Sequence, residues 1–307
     1  MGKFIIRRLL QMIPVILGST FLIFLMVFVL PGDPTVGRCG ERPCPPSYVE
    51  AFNKEYNLDK PFIVQYVLYL GRLLQGDLGT NFYGNSVVHE LAIRYPVTIR
   101  LALIAIAFEA VVGITAGVIA GIRKGKFIDS FITVSTLVVI SIPVFVIGGL
   151  SQMVFGVRLG WAPVTATEGT WEQLLMPGLV LGALSVAYVA RLTRTTLVEN
   201  LRADYVRTAK AKGLSNSRAI GVHALRNSLV PVITYIGASF GGLLGGAIVT
   251  ERIFNINGIG GFIFRSINQR DGTSVVGAVV VLVIVYLFVN LLVDVLYGLL
   301  DPRISHD

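Results

Sequence analysis

Long unbroken apolar runs alternate with short polar stretches along this chain. Neither the two-residue alternation of a half-buried strand nor the three-to-four-residue beat of a surface helix dominates. Six runs reach the roughly 20 residues that a helix needs to cross a hydrocarbon core: 9–31, 97–122, 129–155, 174–192, 229–250 and 274–300. The pattern predicts an all-α membrane protein of about six transmembrane helices. The fourth run is the weakest, being short and interrupted by Pro177, Gly178 and Gly182. The first is too long for the apolar core of a secretory signal, and Pro31-Gly32-Asp33 is not a small-residue cleavage site, so it reads as an uncleaved span.

Composition agrees. Of 307 residues, 54% are hydrophobic and 14% charged, against roughly 25% charged in soluble domains, and mean hydropathy is +0.73. The lipid bilayer is the natural solvent for such a chain. A formal charge of +8 invites a nucleic-acid partner, but the basic residues flank apolar runs and form no continuous stripe, so no nucleic acid is expected. Their distribution sets orientation instead. With a cytoplasmic N-terminus, the inner segments hold Lys3, Arg7, Arg8, Arg123, Lys124, Lys126, the basic residues of 191–226 and Arg303, whereas the short outer loops hold Arg158, Arg252, Arg265 and Arg270. Both termini are therefore expected in the cytoplasm, in a multi-pass protein of the plasma (inner) membrane.

The chain divides into an N-terminal span (1–31), a long extracytoplasmic loop or lid (32–96) and a core of five spans (97–307) that carries a cytoplasmic segment at 193–228. In the outer loop, Pro31, Pro34, Pro43, Pro45 and Pro46 keep the start irregular. Pro61 then opens a helix through Gln75, with Phe62, Tyr66, Tyr69 and Leu73 on one face. This amphipathic helix lies on the outer membrane surface, caps a pore, or is a packing lid. Cys39 and Cys44 share the loop; an oxidising compartment permits a disulfide between them, and two free thiols are the alternative.

The segment 193–228 is polar, basic and helical in pattern. Leu197, Leu201, Tyr205 and Thr208/Ala209 fall on one face, Asp204 can pair with Arg207, and Gly213 suits a left-handed residue ending the helix. Ser215 can cap a second short helix through about Leu225. A basic hairpin satisfies the positive-inside rule without further purpose. That explanation does not cover an elbow of small residues, Thr208-Ala209-Lys210-Ala211-Lys212-Gly213-Leu214, which makes a knob able to enter a partner's groove.

The run Asp204-Tyr205-Val206-Arg207-Thr208-Ala209-Lys210-Ala211-Lys212-Gly213-Leu214, with His223 through Pro231 after it, closely resembles the cytoplasmic loop of binding-protein-dependent ABC permeases of the dipeptide/oligopeptide/nickel (DppB-type) family. Gly32-Asp33-Pro34, Leu58-Asp59-Lys60-Pro61, Gly76-Asp77-Leu78-Gly79, Asn290 through Asp294, and Tyr297 through Arg303 extend the likeness over nearly the whole chain. Arg207-Thr208-Ala209 stands where the general superfamily pattern has Glu-Ala-Ala, and Asn257-Gly258 where this family usually has Pro-Gly. The resemblance implies a type I importer permease (MetI-like) architecture. It implies a second homologous permease in a heterodimer, ATP-binding subunits that carry ATP and Mg2+, and an extracytoplasmic substrate-binding protein. It also implies an ATPase-coupling helix made of Asp204, Tyr205, Arg207, Thr208, Ala209, Lys210, Ala211, Gly213 and Leu214.

Within the spans, Gly113, Gly117 and Gly121 line one face of the second run, and Gly237, Gly241 and Gly245 one face of the fifth. Small residues at this spacing allow close helix packing or a sliding interface. Glu109 lies inside the second run and is a candidate for the translocation path or a subunit contact; Asp294 and Asn290 lie in the last. Pro143 should bend the third span, shaping a cavity or aiding packing. No phosphate-binding Gly-x-x-x-x-Gly-Lys-Ser/Thr loop, no nucleophile–base set and no metal spacing occurs. The chain is thus expected to bind no cofactor or metal and to catalyse nothing itself. The expected function is a permease moving dipeptides or oligopeptides, driven by separate ATPases. The alternatives are a nickel or other small-solute ABC permease, an ATP-independent channel or secondary transporter, and an intramembrane enzyme.

Overall fold

A computed structural model describes residues 2–28, 39, 44–57, 59–81 and 83–300. The Gly32-Asp33-Pro34 motif, Pro31, Pro43, Leu58 and Asp301-Pro302-Arg303 lie outside the described residues. The helices are α1 (Gly2–Phe28), α2 (Pro46–Glu55), α3 (Phe62–Leu74) and α4 (Val87–Phe108). The last passes through a π turn at Glu109–Gly113 into α5 (Ile114–Ile122), followed by α6 (Phe127–Ser141) and α7 (Val144–Ser151) with a π turn at Gln152–Arg158. Next come α8 (Trp171–Asn200), α9 (Asp204–Ala211) and α10 (Asn216–Arg218), which continues through a π turn at Ala219–Leu225 into α11 (Arg226–Gly246). The order closes with α12 (Ile248–Ile253), α13 (Ile259–Asn268) and α14 (Gly272–Leu300).

Among the described residues, five stretches are long and apolar enough to cross a membrane: Ile5–Val27, Val87–Ile122, Trp171–Asn200, Asn216–Leu244 and Gly272–Val295. The pair Phe127–Ser141 and Val144–Arg158, bent by 98°, brings the number to six when it is counted as one broken span. Pro143 stands at that break in the polyproline region, at φ −58° and ψ 141°, and it is the N-cap of α7. A proline there withholds the amide that would have continued α6.

The fourth run differs most from expectation. It is a continuous helix of 30 residues, and Pro177 lies inside it. The Thr170 hydroxyl caps its start by accepting from the Gln173 amide at 3.4 Å. Pro177 removes one amide hydrogen bond near that start, and the glycines that looked like interruptions are contact points. A Cβ at Gly182 would lie 2.8 Å from the Ala105 carbonyl, and one at Gly178 would lie 2.5 Å from Ile104 Cγ2. These absences of side chain let α4 approach α8 closely.

Two compact units can be distinguished, Met1–Thr98 with Asn257–Asp307, and Ile99–Ile256. In the first, α1 and α13 both pack along α14. The aromatic face predicted for α3 rests on α1, with Phe62, Tyr66 and Tyr69 placing ring centroids 5.2–5.8 Å from Phe21 and Phe24. The Tyr66 hydroxyl donates to the Leu17 carbonyl at 2.9 Å. Burial pushes the Tyr69 hydroxyl pKa well above its ordinary value. At the N-terminal side of α2, Cys39 and Cys44 are joined by a disulfide with Cα atoms 5.2 Å apart.

In the second unit α8 is the axis, packed by α5, α6, α7 and α11. The glycine face of the second run lies against it. A Cβ at Gly113 would come within 2.7 Å of Val189 Cγ1, at Gly117 within 2.5 Å of the Ala190 carbonyl and of Thr193 Cβ, and at Gly121 within 3.0 Å of Leu197 Cδ2.

Candidate functional site

The segment between α8 and α11 forms a folded-back elbow. Its sequence face ran from Leu197 to Ala209 as if on one helix, but the chain turns at Leu201–Ala203 and restarts as α9. Val206 is buried in a small core with Leu197, Ala219 and Ala224. That core fastens α9 to the inner end of α8 and to the start of the next span, at about 25 cal/mol for each Å² of apolar area removed from water.

Gly213 ends α9 at φ +88°. The Leu214 amide donates to the Ala209 carbonyl at 3.2 Å and the Gly213 amide to the Lys210 carbonyl at 2.9 Å. This pair of bonds is the Schellman termination, which requires a left-handed residue at that point. No atom lies within 4 Å of a Cβ built on Gly213, so backbone conformation alone selects glycine. The short helix expected after Ser215 is not separate: it runs through the π turn into α11 without a break.

The candidate coupling residues therefore sit together but face two ways. Asp204, Tyr205, Arg207, Thr208, Lys210, Ala211 and Gly213 are exposed, Leu214 is half-buried, and Ala209 turns inward with Val206. Arg207 Nη1 lies 3.8 Å from Asp204 Oδ1, with both side chains in solvent; such a pair contributes little. The Tyr205 hydroxyl is bonded to the Asn200 side-chain oxygen.

Two polar ties that the sequence did not reveal hold the base of the elbow. Thr196 Oγ1 donates to the Ser228 carbonyl at 3.0 Å, and Ser228 Oγ lies 3.2 Å from the Thr196 carbonyl. The two strands of the hairpin are thus pinned where α8 and α11 emerge. The second tie is Asp129 with Arg194. Arg194 Nε donates to Oδ1 at 2.5 Å and Nη2 to Oδ2 at 2.7 Å, while the Gly125 amide donates to Oδ2 at 2.8 Å. This forked pair clamps the start of α6 to α8 two turns before the elbow. Basic residues at 123–126 and 191–194 were visible in the sequence, but the contact joins positions 65 residues apart.

Deeper in the same unit, Glu109 is fully buried and opens the π turn between α4 and α5. Its two carboxylate oxygens lie 3.0 and 3.1 Å from Ser239 Oγ on α11. Tyr188 on α8 stacks with Tyr235 on α11 at 6.1 Å, and the Arg191 guanidinium sits 5.2 Å from the Tyr188 ring centroid. A π turn at an intramembrane carboxylate is a frequent mark of a functional position. Gly237 and Gly241 flank Ser239 along α11, half-buried and buried respectively; the surroundings of Gly245 lie outside the described residues. Pro143 occupies a different place, the break between α6 and α7. Asp294 is paired with Arg8 at 3.3 Å, tying α14 to α1.

Long apolar helices around a pinned elbow make this a helical membrane protein. The chain belongs to the family of binding-protein-dependent transport system inner membrane components: that family matches residues 113–306, and its N-terminal companion matches residues 1–102. Curated relatives span the full chain. The di/tripeptide transport system permease protein DppB of Pseudomonas aeruginosa is 39% identical, covering 100% of this chain and 99% of that one. The dipeptide transport system permease protein DppB of Alkalihalophilus pseudofirmus and the glutathione transport system permease protein GsiC of Pectobacterium atrosepticum are each 36% identical, covering 100% of both chains. Among solved structures, the MetNI methionine ABC transporter in inward-facing conformations shares the fold, with a TM-score of 0.57 at 17% identity over 69% of this chain and 96% of that one.

Proposed function

We propose that this chain is the transmembrane permease subunit of an ABC importer for short peptides, working beside a second, homologous permease. Separate ATP-binding subunits, which hold ATP and Mg2+, grip the elbow from the cytosol, and an extracytoplasmic binding protein delivers cargo from the other side. The names of the full-length relatives support the peptide cargo. The observation that carries the mechanical reading is the elbow: an exposed knob ended by Gly213, fastened through Val206 and Thr196–Ser228 to spans α8 and α11, with α8 in turn clamped to α6 by Asp129–Arg194. A push on α9 is passed to those spans as a rigid unit, because its base has no slack. Nucleotide-driven closure of the ATPases would thereby alternate access to the path between permeases.

Reconstitution of the chain with its genomic partner subunits, followed by uptake of labelled dipeptide, tests the proposal. ATP-dependent uptake that excess Ni2+ does not compete away is expected. Uptake driven by an ion gradient without any nucleotide, or uptake of Ni2+ with no peptide transport, would overturn it.

A further inference from the structure

Away from the elbow, in the first unit, α3 is apolar on both sides. One side carries Phe62, Tyr66 and Tyr69, which pack on α1. On the other side, Ile63, Val64, Val67, Leu68 and Leu74 fall within about 140° of arc at 100° per residue, and they are 37–89% exposed. No charge or hydrogen-bonding side chain interrupts that face. The polar groups of α3 turn back on the protein instead. Gln65 Nε2 donates to the Lys60 carbonyl at 2.8 Å, the Tyr66 hydroxyl to the Leu17 carbonyl at 2.9 Å and Arg72 Nη1 to the Glu55 carbonyl at 3.4 Å. The Arg72 guanidinium also lies 5.2 Å from the Tyr56 ring centroid. Exposed charges resume beyond the helix ends, at Asp59, Lys60 and Asp77. A helix that is apolar all round belongs in a protein core or in a membrane.

Contacts with α1 fix the depth of α3. The apolar stretch Ile5–Val27 ends outward at Val27, which meets Gly272, the first residue of α14. Leu17, which Tyr66 reaches, is ten residues inside that end, about 15 Å at 1.5 Å per residue. Phe21, against which the Phe62 and Tyr66 rings stand, is six residues inside it, about 9 Å. At the inner end Arg8 is paired with Asp294. A hydrocarbon core of about 30 Å counted outward from that pair ends near Phe28. Phe21 and Leu17 therefore lie below the outer headgroups, and α3 lies beside them.

We infer that α3 is an in-plane helix sunk into the outer leaflet, and that Ile63, Val64, Val67, Leu68 and Leu74 are its docking face for phospholipid acyl chains. Helices of this kind sit about 5–10 Å into the boundary between headgroups and acyl chains, which matches the level of Phe21. Water does not suit a face that is wholly aliphatic at that depth. A folded partner suits it less well than lipid, because protein interfaces are enriched in aromatic residues, Met and Arg and carry regular hydrogen bonds, and this face offers none of these. An α3 set among acyl chains anchors the extracytoplasmic segment to the bilayer and does not swing over a pore as a lid. The inference rests on the membrane placement of α1 and not on the cargo or the ATPase coupling proposed above.

Spin-label accessibility tests this. Ile63→Cys, Val67→Cys and, as a water-facing reference, Lys54→Cys are labelled with a nitroxide; Cys39 and Cys44 are joined to each other and do not take the label. The full chain, alone and with its partner subunits, is placed in nanodiscs of phosphatidylcholine and phosphatidylglycerol. Power saturation is then read with oxygen, which enters hydrocarbon, and with a neutral nickel chelate, which stays in water. At positions 63 and 67 the chelate should collide about tenfold less often than at position 54, while oxygen collides freely, with or without the partners. Frequent chelate collisions at 63 and 67 would place the face in water and overturn the inference. Loss of both oxygen and chelate access once the partners are present would give the face to the second permease and overturn it equally. On the unaltered chain, a phospholipid carrying a diazirine in its acyl chain should leave adducts within 62–74 after irradiation; adducts on the spans with none there would also overturn it.

Discussion

Replacing Asp129 with Asn removes the charge at the clamp between α6 and α8 while keeping its shape. Two charge-assisted hydrogen bonds from Arg194 are lost or weakened, and the bond from the Gly125 amide can persist to the Asn oxygen. Breaking a fully buried pair costs ~3–5 kcal/mol, and an exposed one ~1 kcal/mol or less. Here Asp129 is 5% exposed and Arg194 is 28% exposed, so water reaches the guanidinium left behind. An intermediate cost of ~2 kcal/mol follows. For a chain of 307 residues, at about 2.1 cal/mol/K of unfolding entropy per residue, each kcal/mol moves the melting midpoint by ~1.5 °C, which gives a drop of ~3 °C. Fluorescence-detected melting of the full chain in detergent measures it. Arg194→Gln should cost a similar amount, and the double variant should cost well under the sum, since both single changes break one interaction. A drop below about 1 °C, or strict additivity across the cycle, would refute the clamp.

Other positions give sharper local tests. Gly213→Ala meets no clash but forces an L residue into the left-handed region at ~1–2 kcal/mol, so amide exchange across 204–211 should quicken on the order of tenfold; Gly213→Asn, tolerant of that conformation, should change it far less. Gly117→Ala drives a methyl against the Ala190 carbonyl and Thr193, so it should lower the melting midpoint, with overpacking costing ~1–3 kcal/mol. Gly149→Ala, with open space at its Cβ, should not. Ser239→Ala leaves the buried Glu109 carboxyl without the hydroxyl both its oxygens face and should cost ~1–3 kcal/mol, while Ser239→Thr should restore most of the melting midpoint.

Hydropathy made the spans legible because crossing a bilayer demands length and apolarity in the chain itself. It was least reliable where tertiary packing decides. Pro177, Gly178 and Gly182 weakened the fourth run in the sequence, yet Pro177 lies inside a continuous helix and the two glycines allow α4 against α8. The Gly113-Gly117-Gly121 stripe announced a close approach, but its partners, Val189, Ala190, Thr193 and Leu197, follow no pattern that names them in advance. At the elbow, Gly213 was readable because a left-handed terminus has a local chemical signature. The inward turn of Ala209 was not, since a helical face alone does not say which side meets the protein. Asp129 and Arg194 looked like ordinary inner-loop charges, and the Thr196–Ser228 bonds like ordinary span residues. Contacts made across the fold leave no trace in local spacing.

The direct test of the lever is photo-crosslinking from position 211, on the exposed outer side of α9. With p-benzoylphenylalanine in place of Ala211, in membranes holding the assembled transporter, irradiation should join this chain to an ATP-binding subunit, and the yield should change between nucleotide-free and ATP-bound states. Crosslinks only to lipid, or to a protein on the extracytoplasmic side, would contradict the account.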